Sequence, residues 1–171
     1  MGHGESVHGI YIPGETGPSV FVGARMYISA DGQNTNAIRG YGLYANATVS
    51  DSTLVTTGAG GHGVRLWDRA IAKLVNTSVT VSGAGAFGVY ATDNSTIDTT
   101  GGTINTTLDS ARGIYVDNSV GRLNGTNVNT QARARTASRP ARRICPSQAA
   151  RYRRQVALRM ACGSMVERRP H

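Results

Sequence analysis

Gly83-Ala-Gly-Ala-Phe-Gly-Val-Tyr-Ala-Thr-Asp-Asn-Ser-Thr-Ile-Asp-Thr-Thr-Gly-Gly-Thr-Ile-Asn-Thr-Thr107 is the stretch that decides the fold. Its apolar and β-branched residues fall in short alternating runs, such as Gly88-Val89-Tyr90-Ala91, which suit a pleated, half-buried surface. Turn formers, Asp93-Asn94-Ser95 and Gly101-Gly102, separate the runs. Three strands with their turns use about 25 residues, one coil of a three-sided parallel β-helix.

Outward from this stretch the same text recurs. Gly followed by an aliphatic residue appears as Gly9-Ile10-Tyr11, Gly42-Leu43-Tyr44, Gly63-Val64-Arg65, Gly88-Val89-Tyr90 and Gly113-Ile114-Tyr115, at intervals of 33, 21, 25 and 25 residues. A second series runs Val49, Leu74, Ile97, Leu123, and a third Leu54, Val79, Ile104, Val128. Three interleaved ladders with one period identify a solenoid, in which each coil needs its neighbours to bury a core. Capped helical spacing is absent from residues 40–130.

The expected architecture is therefore all-β, a parallel β-helix of about 25 residues per coil followed by a disordered basic tail. Residues 41–130 hold four coils, from Gly42 to Thr130. Residues 1–40 form an irregular leading segment whose Ile10, Val20, Val22 and Ile28 supply one or two more. In the first ladder Leu43, Val64, Val89 and Ile114 are expected to face inward, with Ala45, Leu66, Ala91 and Val116 two residues on. Alternation then turns Tyr44, Arg65, Tyr90 and Tyr115 outward as one column. Tyr offers rigid contact area with a polar tip, so these four residues are the candidate contact face.

Charge divides at the same place as the pattern. Of the formal +8, residues 1–130 carry seven bases against nine acids, while residues 131–171 carry eleven Arg against Glu167 alone. The basic balance is a property of the tail. Both cysteines, Cys145 and Cys162, also lie there, so the body has neither a disulfide framework nor a thiolate metal site. The first residues lack the charged and apolar regions of a signal peptide, and no apolar window is long enough to span a membrane as a helix.

Gly83-Ala-Gly-Ala-Phe-Gly-Val-Tyr-Ala91, Asn94-Ser-Thr-Ile97 and Leu123-Asn-Gly-Thr-Asn-Val128 resemble the pertactin-like passenger region of bacterial autotransporters, over roughly residues 8–130. The resemblance implies a right-handed parallel β-helix displayed at the cell surface or outer membrane, non-enzymatic and adhesive. Its expected partners are a host cell surface or extracellular matrix. It also implies a signal peptide and a C-terminal membrane β-barrel, the passenger's only membrane link. The chain as given carries neither, so it reads as a fragment not functional on its own.

Other motifs point to no cofactor, metal or catalytic residue. Gly58-x-Gly60-x-x-Gly63 and Gly83-x-Gly85-x-x-Gly88 match a dinucleotide-binding pattern, but they lead into strands where a phosphate site needs a helix. His3, His8, His62 and His171 have no ligand spacing. Five Asn-x-Ser/Thr sequons follow from a Thr- and Asn-rich composition. The rival reading is a carbohydrate-active β-helix enzyme, with Asp93 and Asp117 as candidate carboxylates. Both sit in Asp-Asn-Ser turns that favour Asp for local bonding, and a lyase would have only Lys73 as a body lysine.

The tail, 131–171, reads as frameshifted translation, because Arg, Ala, Pro and Ser enrichment begins where another Gly-aliphatic-Tyr anchor is due near residue 138. As a genuine arm it would instead bind nucleic acid through phosphate contacts. A specific nucleic-acid partner is not expected.

Overall fold

The structure is a computed structural model that describes residues 8–108 and 110–131. The chain divides into a unit of Met1–Ala134 and a unit of Arg135–His171. The second unit, and with it the readings made of the tail, lies outside the described residues, as do His3 and His171.

Each β-branched run becomes a strand of four to six residues, and the strands stack into three parallel sheets. Sheet 1 contains β1 (Ile10–Pro13), β4 (Ile38–Tyr41), β7 (Val64–Trp67), β10 (Phe87–Ala91) and β13 (Arg112–Val116). Sheet 2 contains β2 (Ser19–Ala24), β5 (Ala45–Ser50), β8 (Ile71–Val75), β11 (Thr96–Thr100) and β14 (Val120–Asn124). Sheet 3 contains β3 (Tyr27–Ala30), β6 (Thr53–Thr56), β9 (Ser78–Val81), β12 (Thr103–Thr106) and β15 (Asn127–Thr130). The described chain is thus a β-solenoid of five coils, all-β, with three strands per coil.

Backbone hydrogen bonds run along the axis at about 4.8 Å per coil, so equivalent side chains stack. In sheet 1 the inward column is Ile10–Ile38–Val64–Val89–Ile114, spaced by 28, 26, 25 and 25 residues. The third ladder read from the sequence, Leu54–Val79–Ile104–Val128, is an observed column of sheet 3. Ile38, Leu54, Val64, Val79, Val89 and Ile104 are all buried, and each contributes on the order of 1.5–3 kcal/mol.

Two expected ladders need correction. The second coil begins at Ile38, inside the segment assigned to an irregular leader, and that segment holds a complete first coil as well. Leu43 is 47% exposed in a turn, and Ala45, though buried, opens β5 of sheet 2. In sheet 2, Val49–Leu74 continues to Thr99 and then Leu123, whereas Ile97 stacks on Ala72 and Ala47. The reason is volume. The inward pairs along sheet 2 are Phe21/Gly23, Ala47/Val49, Ala72/Leu74, Ile97/Thr99 and Gly121/Leu123. A large residue in one column accompanies a smaller one in the next, which keeps a close-packed interior filled.

The corners account for the turn residues. Between sheets 2 and 3 stand Arg25, Asp51, Asn76, Gly101 and Gly125, with φ of 55, 50, 46, 63 and 63°. Asn, Asp and Gly tolerate this left-handed region best, and they fill four of the five positions. The glycine triplets sit at the corner that returns to sheet 1. A Cβ on Gly83 would collide with the Gly58 carbonyl one coil away, Gly85 has φ +67°, and a Cβ on Gly88 would collide with Ile104 Cγ2. The apparent phosphate motif is a set of three separate corner requirements. In the last described coil Leu123 and Val128 are exposed and Ile114 is partly buried.

Candidate contact face

The outer face of sheet 1 carries six of the nine described Phe, Tyr and Trp residues, with Phe21, Tyr27 and Tyr44 elsewhere. Its central column is Tyr11–Arg39–Arg65–Tyr90–Tyr115, in parallel register through all five coils. Three of the four expected contact residues, Arg65, Tyr90 and Tyr115, occupy consecutive places in it. Tyr44 does not. It lies in the turn between β4 and β5, 47% exposed, and Arg39 stands where it was expected. Gly42-Leu43-Tyr44 carries the recurring glycine text, whereas the second coil has Ala37 before its aliphatic residue. An anchor on aliphatic spacing alone would have found Ile38 and Arg39.

The rings are ordered along the axis. Tyr90 stacks on Tyr115 at 5.2 Å between centroids, with 12° between planes, and on His62 at 5.0 Å and 9°. Phe87 tilts against His62, Tyr90 and Tyr115 at 5.2 to 5.5 Å. The guanidinium of Arg39 lies between the Tyr11 and Trp67 rings at 5.3 and 4.7 Å, and that of Arg65 between Trp67 and Tyr90 at 5.1 and 5.7 Å. Tyr41 packs against Trp67 at 4.9 Å. Each such cation–ring contact is worth about 0.5–2 kcal/mol, more as water is excluded.

Among the described residues neither guanidinium pairs with a carboxylate. The ion pairs among the described residues are Arg69–Asp68 and Arg122–Asp98, both elsewhere. The Nε atoms of Arg39 and Arg65 are buried and have no hydrogen-bond partner among the described residues. Two like charges held at the coil spacing repel by on the order of 3 kcal/mol at an effective dielectric of about 20. Burial first, and then Arg39, lower the Arg65 pKa, with Tyr90 opposing.

The surrounding side chains include acceptors as well as donors. Arg39 contacts the His8 Nε2. Burial and then the two arginines lower the His8 pKa, and His62 is pushed down to about 4 by burial and by Arg65. The Tyr41 phenol at the edge is raised above its ordinary value, first by hydrogen bonding to Glu15 and then by that carboxylate's charge. The face is cationic, aromatic and rich in N–H and O–H donors.

The candidate carboxylates lie apart from it, in the turns that lead from sheet 1 to sheet 2. Asp93 has φ +57°, and its carboxylate accepts a hydrogen bond from the Thr92 hydroxyl at 3.0 Å. Asp117 begins the equivalent turn one coil on, its N–H bonded to the Ala91 carbonyl. Among the described residues no three His, Cys, Asp or Glu converge as metal ligands, and no helix is long and apolar enough to cross a membrane. No family model matches this sequence, and neither a curated protein nor a solved structure matches the chain.

Proposed function

We propose that this chain is a binding module of a non-enzymatic surface or adhesion protein of the autotransporter-passenger kind, and that the outer face of sheet 1 is its contact face. The supporting observation is the continuous column Tyr11–Arg39–Arg65–Tyr90–Tyr115, which places a cation or a phenol at every coil along one side. A rigid solenoid presents such a column without an ordering cost at the moment of binding. Tyr and Arg are the residues most often found where binding energy is concentrated. The sequence motifs shared in style with passengers, and the coil length, support placement at a cell surface facing a host cell or matrix.

The test is adhesion. The triple variant Arg65→Ser, Tyr90→Ser, Tyr115→Ser should adhere to host cells or matrix at least tenfold less than the wild type, with its β-sheet circular dichroism unchanged. Tyr44→Ser, off the column, should adhere normally. Full adhesion by a folded triple variant would overturn the assignment of this face.

A further inference from the structure

We infer that the contact face takes an anionic polysaccharide, with Arg39 and Arg65 receiving its carboxylate or sulfate groups. The inference rests on the contact-face reading and names its ligand class.

The two guanidinium groups lack acceptors for part of their donor set among the described residues. They stand on adjacent coils, each sandwiched between rings, with buried Nε atoms that find no acceptor among the described residues. Buried donors are normally satisfied, and desolvated guanidinium is the group that pairs best with planar anions. His62 adds to this. Its Nδ1 accepts the Phe87 N–H at 3.1 Å, so the ring proton sits on Nε2 and contributes another donor. An acceptor-rich, negatively charged ligand would complete the site.

Ring stacking limits which surfaces of the rings remain available. Tyr90, Tyr115 and His62 are stacked face to face along the axis. Each pairing uses one ring face, so Tyr90, between His62 and Tyr115, presents its edge and its hydroxyl. Nucleobases need open ring faces to stack on. A polysaccharide needs hydroxyl donors and acceptors for its own hydroxyls, and Tyr11, Tyr90 and Tyr115 supply these on either side of the arginine pair.

The face is also periodic. The column repeats at about 4.8 Å per coil, comparable to the advance of one pyranose ring along an extended polysaccharide. A chain laid along the axis meets one coil per sugar, with its acidic groups at Arg39 and Arg65 and its hydroxyls at the flanking phenols.

The experiment titrates the full chain with polygalacturonate oligomers (carboxylate), heparin oligomers (sulfate), neutral dextran and a single-stranded oligonucleotide of matched charge. The variants are Arg39→Gln/Arg65→Gln and, as a control, Arg69→Gln/Arg122→Gln. All retain the Arg-rich tail, so its contribution is common to every arm.

The expected result is binding to at least one acidic glycan that strengthens with oligomer length and weakens tenfold or more in Arg39→Gln/Arg65→Gln but less than twofold in the control. Arg65→Lys, which keeps the charge but not the planar fork, should lose several-fold and guards against misreading a misfolded double variant. Preference for one oligomer type identifies carboxylate or sulfate as the group recognised. Equal losses in both double variants, or equal affinity for the oligonucleotide, would overturn the inference. If no acidic glycan binds while adhesion still depends on Arg65, Tyr90 and Tyr115, the contact face stands and the ligand class falls.

Discussion

The Nδ1 atom of His62 accepts the backbone N–H of Phe87 at 3.1 Å, one coil further along the axis. The same corner position does the same work in the coils before it. The Asn36 Oδ1 accepts the His62 N–H at 3.0 Å, and the His8 Nδ1 accepts the Asn36 N–H at 3.1 Å. Three side chains thus supply the acceptors that a carbonyl ladder would otherwise provide. In the next coil the Arg112 N–H goes back to the Ala86 carbonyl, and Phe87 is free to pack among the rings.

This ladder makes stability depend on pH. His62 is held neutral in the folded chain, with its pKa lowered to about 4 from 6.5, so the unfolded state binds more protons between these values. Stability is therefore complete above about pH 6.5 and is lost as pH falls toward 4, by up to about 3 kcal/mol. His8, also lowered, acts in the same direction. His62→Asn should keep the acceptor, as Asn36 does, and flatten the dependence in this window. His62→Ala should cost about 1–3 kcal/mol at pH 7 by orphaning the Phe87 N–H. Urea midpoints at pH 4.5 and 7.5 measure both effects, and a wild-type midpoint that does not move would refute the protonation argument.

Val89 lies at the middle of the inward column of sheet 1 and is fully buried. Val89→Asp buries a charge with no partner and should cost more than about 4 kcal/mol. Thr100→Asp, at the exposed end of β11, should stay within about 0.5 kcal/mol. Similar denaturation midpoints for the two variants would contradict the assignment of the interior.

What the sequence made legible was whatever repeated strictly. The ladder of Leu54, Val79, Ile104 and Val128 was readable because all four residues are aliphatic and the spacing barely changes. Ile97 was assigned to the wrong column because only the total volume of each inward pair in sheet 2 is held steady. A strict period of 25 leads from Leu74 to Thr99, but the preference for an aliphatic residue selects Ile97 two positions earlier. Of the contact face, Tyr90 and Tyr115 carried the Gly-aliphatic-Tyr signature. Arg39 and Trp67 did not, and their roles depend on ring and guanidinium packing between coils. Tyr44 was drawn in by a Gly-Leu-Tyr text that in the structure is a turn.

Gly88 is the second residue of β10, packed toward sheet 3, and its φ lies outside the left-handed region. The obstacle to a side chain there is contact with Ile104 Cγ2 and with the Gly113 carbonyl. Gly88→Ala should therefore cost about 1–3 kcal/mol as overpacking. Ile104→Ala, which alone should cost about 2–5 kcal/mol, should cost less when added to Gly88→Ala, since one of the two obstacles is removed. Gly85→Asn is the contrasting case, with φ +67° and open space around the Cβ, and should be tolerated within about 1 kcal/mol. If Ile104→Ala deepens the loss by its full independent cost, the close approach at Gly88 is not the cause.

Ala72 and Leu74 test whether sheet 2 conserves the volume of each inward pair. Both are buried, and they neighbour Ala47/Val49 on one side and Ile97/Thr99 on the other. Ala72→Leu alone forces extra volume between Ala47 and Ile97 and should cost about 1–3 kcal/mol. Leu74→Ala alone opens a cavity and should cost about 2–5 kcal/mol. Exchanging the two residues restores the pair's volume and produces the large-then-small order that Ile97/Thr99 already uses one coil away. The double variant should therefore be more stable than the sum of the single losses by about 1–3 kcal/mol, the range typical of residues that share a packing space. Chemical denaturation of the four proteins in the cycle gives the coupling directly. Simple additivity would mean that the two columns pack independently, and that the alternation of large and small residues along sheet 2 carries no packing constraint.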